Sequence, residues 1–163
     1  MKIGIISDTH GRFDPQFREF LEPCDEIWHA GDFGGGFGTA AEIAAFKPLV
    51  GVVGNCDERG LIHQYPLHSF FVREGQGILM THIGGHPGKY DRSALQLIHR
   101  YKPSIFVCGH SHILRVMRDE QFDMLYLNPG AAGIQGMHLV RTALRFDLTA
   151  GGPSNLEVFE LEK

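Results

Sequence analysis

Residues 2–10 read KIGIISDTH, a short apolar run that passes directly into an aspartate, a threonine and a histidine. Residues 2–7 are rich in isoleucine and end in a polar turn, which predicts a buried β-strand. Asp8 and His10 then follow the carboxyl end of that strand. Ligands of open α/β sheets bind beyond such strand ends, so this stretch links the fold to a candidate site.

The segments that follow alternate between helical and extended patterns. The order β-α-β-α-β is predicted for residues 2–7, 15–21, 26–30, 39–46 and 49–53. Pro15 suits the start of the first helix, and Thr39 with Glu42 forms a capping-box pattern at the start of the second. Alternating strands and helices predict a parallel sheet.

The rest of the chain is richer in strands. One helix is predicted for residues 93–101, and strands are predicted for residues 70–73, 78–82, 104–108, 115–118, 124–127, 142–147 and 156–161. No repeat or linker divides the chain, so residues 1–163 are expected to form one domain. The expected fold class is α/β, with two packed mixed β-sheets flanked by helices.

Composition narrows the class of protein. Hydrophobic residues make up 43% and charged residues 21%, and the formal net charge is −4. These values are typical of a globular protein and predict no broad nucleic-acid surface. No segment approaches the ~18 apolar residues of a membrane span. Three cysteines without CxxC spacing disfavour a disulfide framework, so a cytoplasmic location is expected.

Polar residues of metal-binding types follow the predicted strands. The set is Asp8, His10, Asp32, Asn55, His82, His110 and His112. The pairs Asp8/His10 and His110/His112 are spaced by two, which in extended backbone places both side chains on one side. Glycines at positions 31, 54 and 109 precede the polar residues and let the backbone approach a ligand closely.

Seven ligands are too many for one tetrahedral zinc ion. They divide naturally between two cations with one bridging carboxylate. Carboxylate, amide and imidazole ligands suit Mn²⁺, Fe²⁺, Zn²⁺, Co²⁺ or Ni²⁺. Two such cations about 4 Å apart clamp a phosphoryl group and activate water. Any one of these histidines alone favours a structural role, and only their joint placement predicts a metal centre.

Other histidines and glycines have simpler interpretations. His86, in the loop of residues 84–88, could donate to a phosphate or could be a solvated loop residue. The five remaining histidines lack the strand-end context and are interpreted as structural or surface residues: His29, His63, His68, His99 and His138. The glycine-rich run of residues 34–38 could be a mobile lid over the site, but a flexible connector is the favoured interpretation. Cys108 is interpreted as a core residue.

The blocks DTH, GD, GNCD, TH and GHSH, in this order, resemble the motifs of the calcineurin-like metallophosphoesterase superfamily. The run Asn128-Pro129-Gly130 resembles a further element of its small bacterial and archaeal phosphodiesterase branch, the YfcE-like group. The resemblance implies a double β-sheet sandwich. It also implies activity on phosphodiesters that Mn²⁺ or Ni²⁺ stimulates, with Mn²⁺ the preferred expectation.

The resemblance also assigns residue roles. One cation would be bound by Asp8, His10, Asp32 and His112, and the other by Asp32, Asn55, His82 and His110. Asp32 would bridge the cations, and the second group would be the catalytic one. Asn55, Cys56 and His86 would contact substrate. Many members have histidine where this chain has Cys56, and that histidine commonly contacts phosphate. The difference disfavours monoester hydrolysis.

The expected function is therefore a binuclear metal-dependent phosphodiesterase acting on a small phosphate ester. The alternatives are a phosphomonoesterase on the same fold and a non-catalytic binding scaffold of the Vps29 type, because fold alone does not fix function. No membrane partner is expected. Edge strands in the second half would permit a homo-oligomer.

Overall fold

A computed structural model describes all 163 residues. Strands and helices alternate in the first third of the chain. The elements are β1 (Lys2–Ile6), α1 (Pro15–Leu21), β2 (Glu26–His29), α2 (Gly38–Phe46) and β3 (Leu49–Gly51). β2 pairs in parallel with both β1 and β3, so the predicted parallel arrangement is confirmed. A short 3-10 helix, Arg59–His63, follows.

The remaining elements are mostly strands. They are β4 (His68–Arg73), β5 (Gln76–Thr81), β6 (Gly85–His86), β7 (Lys89–Tyr90), α3 (Arg92–Tyr101), β8 (Ile105–Val107), β9 (Leu114–Asp119), β10 (Met124–Pro129), β11 (Val140–Thr149) and β12 (Gly152–Glu162). One five-stranded sheet has the order β12-β11-β1-β2-β3, and the other has the order β4-β5-β8-β10-β9. β6 and β7 form a separate two-stranded hairpin.

The two large sheets pack face to face. Their inner faces share one cluster of buried side chains, to which the first sheet gives Ile3, Ile5 and Trp28 and the second gives Met80 and Val107. Burying each such side chain contributes roughly 1.5–3 kcal/mol. Helices α1 and α2 cover the outer face of the first sheet, and α3 covers the second. The predicted sandwich of mixed sheets flanked by helices is thus confirmed.

Three local expectations were wrong. The capping box fails because α2 begins at Gly38, and no side chain caps its first turn. The glycine run is a packed turn: Gly34 has φ 68°, and an added Cβ there would lie 2.5 Å from the backbone of Gly11. The loop around His86 is the β6–β7 hairpin. None of the helices is both long enough and apolar enough to cross a membrane.

Candidate metal centre

The candidate ligands follow strands of both sheets. Asp8 and Asp32 lie beyond β1 and β2 of the first sheet, while His82 and the loop of residues 109–112 lie beyond β5 and β8 of the second. Because both sheets direct these carboxyl ends to one edge of the sandwich, residues as far apart in sequence as Asp8 and His112 come into contact.

Two buried aspartates form the centre of the cluster. Asp8 is 0% and Asp32 2% exposed. Nε2 of His112 lies 3.1 Å from Oδ1 of Asp8, and Nε2 of His82 lies 3.2 Å from Oδ2 of Asp32. Nε2 of His10 lies 3.9 Å from an oxygen of each aspartate. Five of the seven predicted ligands therefore surround one small volume.

The surroundings keep both aspartates ionised. Burial alone would raise the pKa of Asp32, but His82 and the amide of Cys56 outweigh it and lower that pKa to about 2. The pKa of Asp8 is also lowered, because hydrogen bonds from His112 and Ser7 and the nearby charge of His82 outweigh the effect of burial. Two anionic side chains held together in a buried position call for positive charge between them.

Two imidazole nitrogens of the candidate ligands have no hydrogen-bond partner. Nε2 of His10 and Nε2 of His82 are both buried and unpaired. Nε2 of His82 lies 3.2 Å from Oδ2 of Asp32, but without the geometry of a hydrogen bond. The other nitrogen of His82, Nδ1, lies 2.8 Å from the carbonyl oxygen of Ala30, to which it donates. A cation that replaced the proton on Nε2 would be bound by the lone pair of this nitrogen, beside two carboxylates. This arrangement fits a cation between them, with the carbonyl fixing the ring.

The route by which these side chains converge differs from the prediction. The pairs spaced by two do not lie in extended backbone. Left-handed φ angles occur at five of the candidate ligands: Asp8 (53°), His10 (46°), Asp32 (56°), His110 (67°) and His112 (58°). Such angles are uncommon outside glycine and cluster at functional sites. Tight loops, and not the two-residue period of a strand, therefore direct the ligands inward.

The preceding glycines make room for ligands from other loops. An added Cβ on Gly54 would lie 2.0 Å from Oδ1 of Asp32, and one on Gly31 would lie 2.6 Å from Nδ1 of His82. On Gly109 it would lie 2.0 Å from Oγ of Ser7. These glycines therefore let one loop pack against the side chains of the next.

A buried histidine connects two of the ligand loops. Nδ1 of His29 accepts from the amide of Gly31, so its Nε2 donates to Oγ1 of Thr9, 3.0 Å away. That hydroxyl donates to the carbonyl of Phe33, on whose ring His29 stacks. Burial lowers the pKa of His29 to about 3, so it acts as a neutral positioning residue. The structural interpretation of His29 is thus correct.

Further positioning residues were not identified from the sequence. Ser7 donates to Oδ2 of Asp8 at 2.6 Å. Asn128 donates to the carbonyl of Gly109 and to the hydroxyl of Ser111, so it holds the loop that carries His110. Asn128 lies in the run of residues 128–130 that resembles a family element, and this resemblance was the only sequence feature that pointed to it. No sequence feature pointed to Ser7 except its position before Asp8.

The other predicted site residues lie around this cluster. The ring of His110 is 5.2 Å from that of His82. Asn55 is exposed and lines a cavity of about 320 Å³ together with His82, and its amide nitrogen lies 3.4 Å from Sγ of Cys56. His86 is exposed and lines a different cavity, which also includes His110.

Cys56 was not predicted to be a metal ligand, yet its exposed thiol lies beside the ligand atoms of His10 and Asp32. Cys56, His10 and Asp32 each place one ligand atom within 4.8 Å of the others. Two further groups meet the same criterion: Asp8 with His10 and His112, and Asp8 with Asp32 and His82. Each aspartate belongs to two of the three groups. Cys108, in contrast, is buried as expected of a core residue.

Comparison with known proteins agrees with this picture. The family described as the calcineurin-like phosphoesterase superfamily domain matches residues 1–151. An uncharacterized protein of Methanocaldococcus jannaschii is 30% identical over 142 aligned residues, which cover 73% of this chain and 64% of that protein. This chain therefore spans less than two thirds of that relative.

Solved structures share the fold at low sequence identity. A novel archaeal phosphodiesterase superposes with a TM-score of 0.74 at 22% identity, covering 99% of this chain and 100% of the other. The zinc complex of Vps29 from Entamoeba histolytica superposes with a TM-score of 0.73 at 18% identity, covering 99% of each chain. Likenesses at these identities show the fold alone.

Proposed function

The chain belongs to the calcineurin-like phosphoesterase superfamily, and from this we propose that it is a phosphodiesterase that requires two divalent cations. One observation supports the metal dependence most directly. Two buried imidazole nitrogens, on His10 and His82, have no hydrogen-bond partner and face two buried carboxylates. A buried polar atom without a partner costs about 1–3 kcal/mol, and cations at this place would remove that cost.

The proposed ligands divide between two positions. Asp8, His10, Asp32 and His112 would hold one cation, and Asp32, Asn55, His82 and His110 would hold the other. The short distances around Asp8 and Asp32 support the first group and, of the second group, Asp32 and His82. Mn²⁺ is the proposed ion, with Ni²⁺, Fe²⁺, Zn²⁺ and Co²⁺ as alternatives that the same ligand types accept.

The protein side chains would prepare the site for an in-line displacement. When bound, two cations supply charge for the phosphoryl oxygens and acidify a water molecule. Ser7 and the Cys56 amide hold one oxygen of Asp8 and one of Asp32, respectively. This leaves the other oxygen of each carboxylate directed toward the imidazoles. The carbonyl of Ala30 fixes the orientation of His82.

We expect the protein to bind two divalent cations per chain. Metal analysis and titration with Mn²⁺ after removal of all metal should give a stoichiometry near two. His82→Ala should lower it toward one, because the second cation would lose one of its four proposed ligands. His63→Ala, at an exposed histidine outside the site, serves as the control and should retain two. A folded wild-type chain that binds one ion or none would contradict the binuclear proposal.

Activity decides between the proposed enzyme and a binding scaffold. A screen of phosphodiesters, phosphomonoesters and cyclic nucleotides, with Mn²⁺ saturating, should give the highest kcat/KM on a diester. If the metal-loaded protein hydrolyses none of these, the phosphodiesterase proposal is wrong and a scaffold role is favoured.

Cys56 is expected to favour diesters over monoesters. A monoester dianion gains from an added cationic donor, whereas a diester with a good leaving group needs it less. A thiol is only a weak donor. Cys56→His should therefore narrow the ratio of kcat/KM for bis(p-nitrophenyl) phosphate to that for p-nitrophenyl phosphate. The thiol is exposed beside Asp32, which supports a direct effect on substrate.

A matched cysteine provides the control for this substitution. Cys24 is buried away from the site, so Cys24→Ala should leave the substrate ratio unchanged in folded protein. An unchanged ratio in metal-loaded Cys56→His would show that another residue sets the preference. A wild-type preference for the monoester would overturn the diesterase assignment.

A further inference from the structure

A cavity of about 380 Å³ opens beside the candidate metal centre. Its lining includes His110 and Ser111 from the loop after β8, His86 and Lys89 from the β6–β7 hairpin, and Arg115 from β9. The volume falls within the range of small-molecule sites, about 300–1,000 Å³. Because His110 belongs to both the cavity wall and the proposed metal centre, the cavity adjoins the place where a substrate would bind.

The hairpin wall is anchored at several points. Gly85 has φ 72°, and an added Cβ would lie 2.4 Å from the carbonyl oxygen of Lys89, so the tight hairpin needs glycine there. The hydroxyl of Tyr126 donates to the carbonyl of Gly85 at 2.6 Å, and that of Tyr90 donates to Asp119 at 2.5 Å. The two tyrosine hydroxyls are thus occupied in holding the wall, which presents Lys89 from a fixed backbone.

Two cationic side chains of this cavity, Lys89 and Arg115, form no ion pair, although one carboxylate also lines it. Neither Lys89 nor Arg115 forms a salt bridge or a side-chain hydrogen bond. Arg115 is paired across the strands with Asn128, whose side chain reaches the Gly109–Ser111 loop. Directly paired residues project to the same face, so Arg115 also projects toward that loop. The one lining carboxylate, Asp91, accepts from the amides of Ser93 and Ala94.

The donors of this cavity are suited to a phosphate group. The Ser111 hydroxyl accepts from Asn128 and from the amide of Ile113, which leaves its own proton to donate. His86 is a poorer donor: its Nδ1 donates to the carbonyl of Pro87, so in the neutral ring Nε2 carries no proton. Lys89, the cross-strand partner of His86, is the better phosphate donor of the two.

We infer that this cavity binds a second phosphate, carried on one ester arm of the substrate, through Lys89, Arg115 and Ser111. The inference rests on the proposed phosphodiesterase function and narrows its substrate class. The preferred substrate is a phosphodiester with an additional phosphate on one of its ester arms. Hydrogen bonds to charged groups strengthen binding enough for a preference of about tenfold or more.

Two chromogenic esters that differ by one phosphate test the inference. They are the p-nitrophenyl ester of thymidine 5′-phosphate and the same ester with a 3′-phosphate. With Mn²⁺ saturating, wild-type kcat/KM should be at least about tenfold higher for the second. The Lys89→Gln, Arg115→Gln double variant should bring this ratio close to one. Arg100→Gln, which removes an exposed cation from α3 outside the cavity, should retain it. A wild-type ratio near one, or a ratio that the double variant keeps, overturns the inference.

Binding measurements separate this inference from the proposed function. Calorimetry on the Mn²⁺-loaded protein should show thymidine 3′,5′-bisphosphate binding at least about tenfold more tightly than thymidine 5′-phosphate. If that difference is present but neither ester is hydrolysed, the cavity assignment stands and the phosphodiesterase proposal fails. If inorganic phosphate competes as well as the bisphosphate does, the cavity holds a separate anion, and the ester-arm inference is overturned.

Discussion

Replacing Asp32 with asparagine should lower kcat/KM for bis(p-nitrophenyl) phosphate by more than about 10³-fold, beyond the 10²–10³ typical of one lost oxyanion donor. Asp32 belongs to two of the ligand groups, one with Asp8 and His82 and one with His10 and Cys56. Loss of its charge would weaken both proposed cation positions at once. Asp32→Ala should show the same loss.

The asparagine variant isolates charge from backbone strain. Asp32 has φ 56°, a conformation that asparagine tolerates well and alanine does not. The amide oxygen of the introduced side chain could also keep the hydrogen bond from the Cys56 amide. A fold intact by circular dichroism, with a metal stoichiometry below two, is therefore expected. The rise in thermal stability on adding Mn²⁺ should shrink as well, because stabilisation follows ligand affinity. Retention of most activity in Asp32→Asn would refute the bridging role.

Gly54→Ala should impair both folding and catalysis, although it adds one methyl group. That group would lie 2.0 Å from Oδ1 and 2.4 Å from the backbone nitrogen of Asp32. The backbone nitrogen cannot rotate away, so the two loops must separate. Overpacking of this kind costs about 1–3 kcal/mol in the free energy of unfolding. A displacement of the catalytic group by about 1 Å costs about 10²-fold in rate.

Gly38 offers a matched control for this substitution. It starts α2, and an added Cβ would meet nothing within 4 Å. Gly38→Ala should leave the activity unchanged and should leave the stability equal or higher by up to about 1 kcal/mol. Urea unfolding and kcat/KM for both variants provide the measurements. Wild-type stability and rate in Gly54→Ala would show that the two loops move apart freely.

The sequence predicted the architecture because local patterns determine it. Ile3 and Ile5 alternate with small or outward residues in a short apolar run, and the parallel order of β1, β2 and β3 follows from the helices between them. Local sequence patterns do not predict contacts between distant loops. The left-handed backbone of Asp8 and the contact of Gly54 with Asp32 depend on how two loops pack, which no residue spacing encodes.

The structure of short, tightly packed segments was also predicted wrongly from the sequence. The β6–β7 hairpin has two residues in each strand, too few for a periodic pattern. Gly34 was expected to be flexible because glycine permits many conformations, yet its amide donates to Asp57 and the turn packs on Gly11. Thr39 matched a capping box by spacing alone, but the helix begins two residues earlier than that motif requires.

The central position of β1 bears on how this protein is made. Its parallel neighbour β2 leaves the ribosome soon afterwards, but its antiparallel neighbour β11 begins only at Val140. Throughout most of translation, one edge of β1 therefore has unpaired backbone groups, which favour association with other chains. The Asp8 carboxylate likewise lacks His112 until more than a hundred further residues have been synthesised. Metal would then be acquired late, after both halves of the chain have come together.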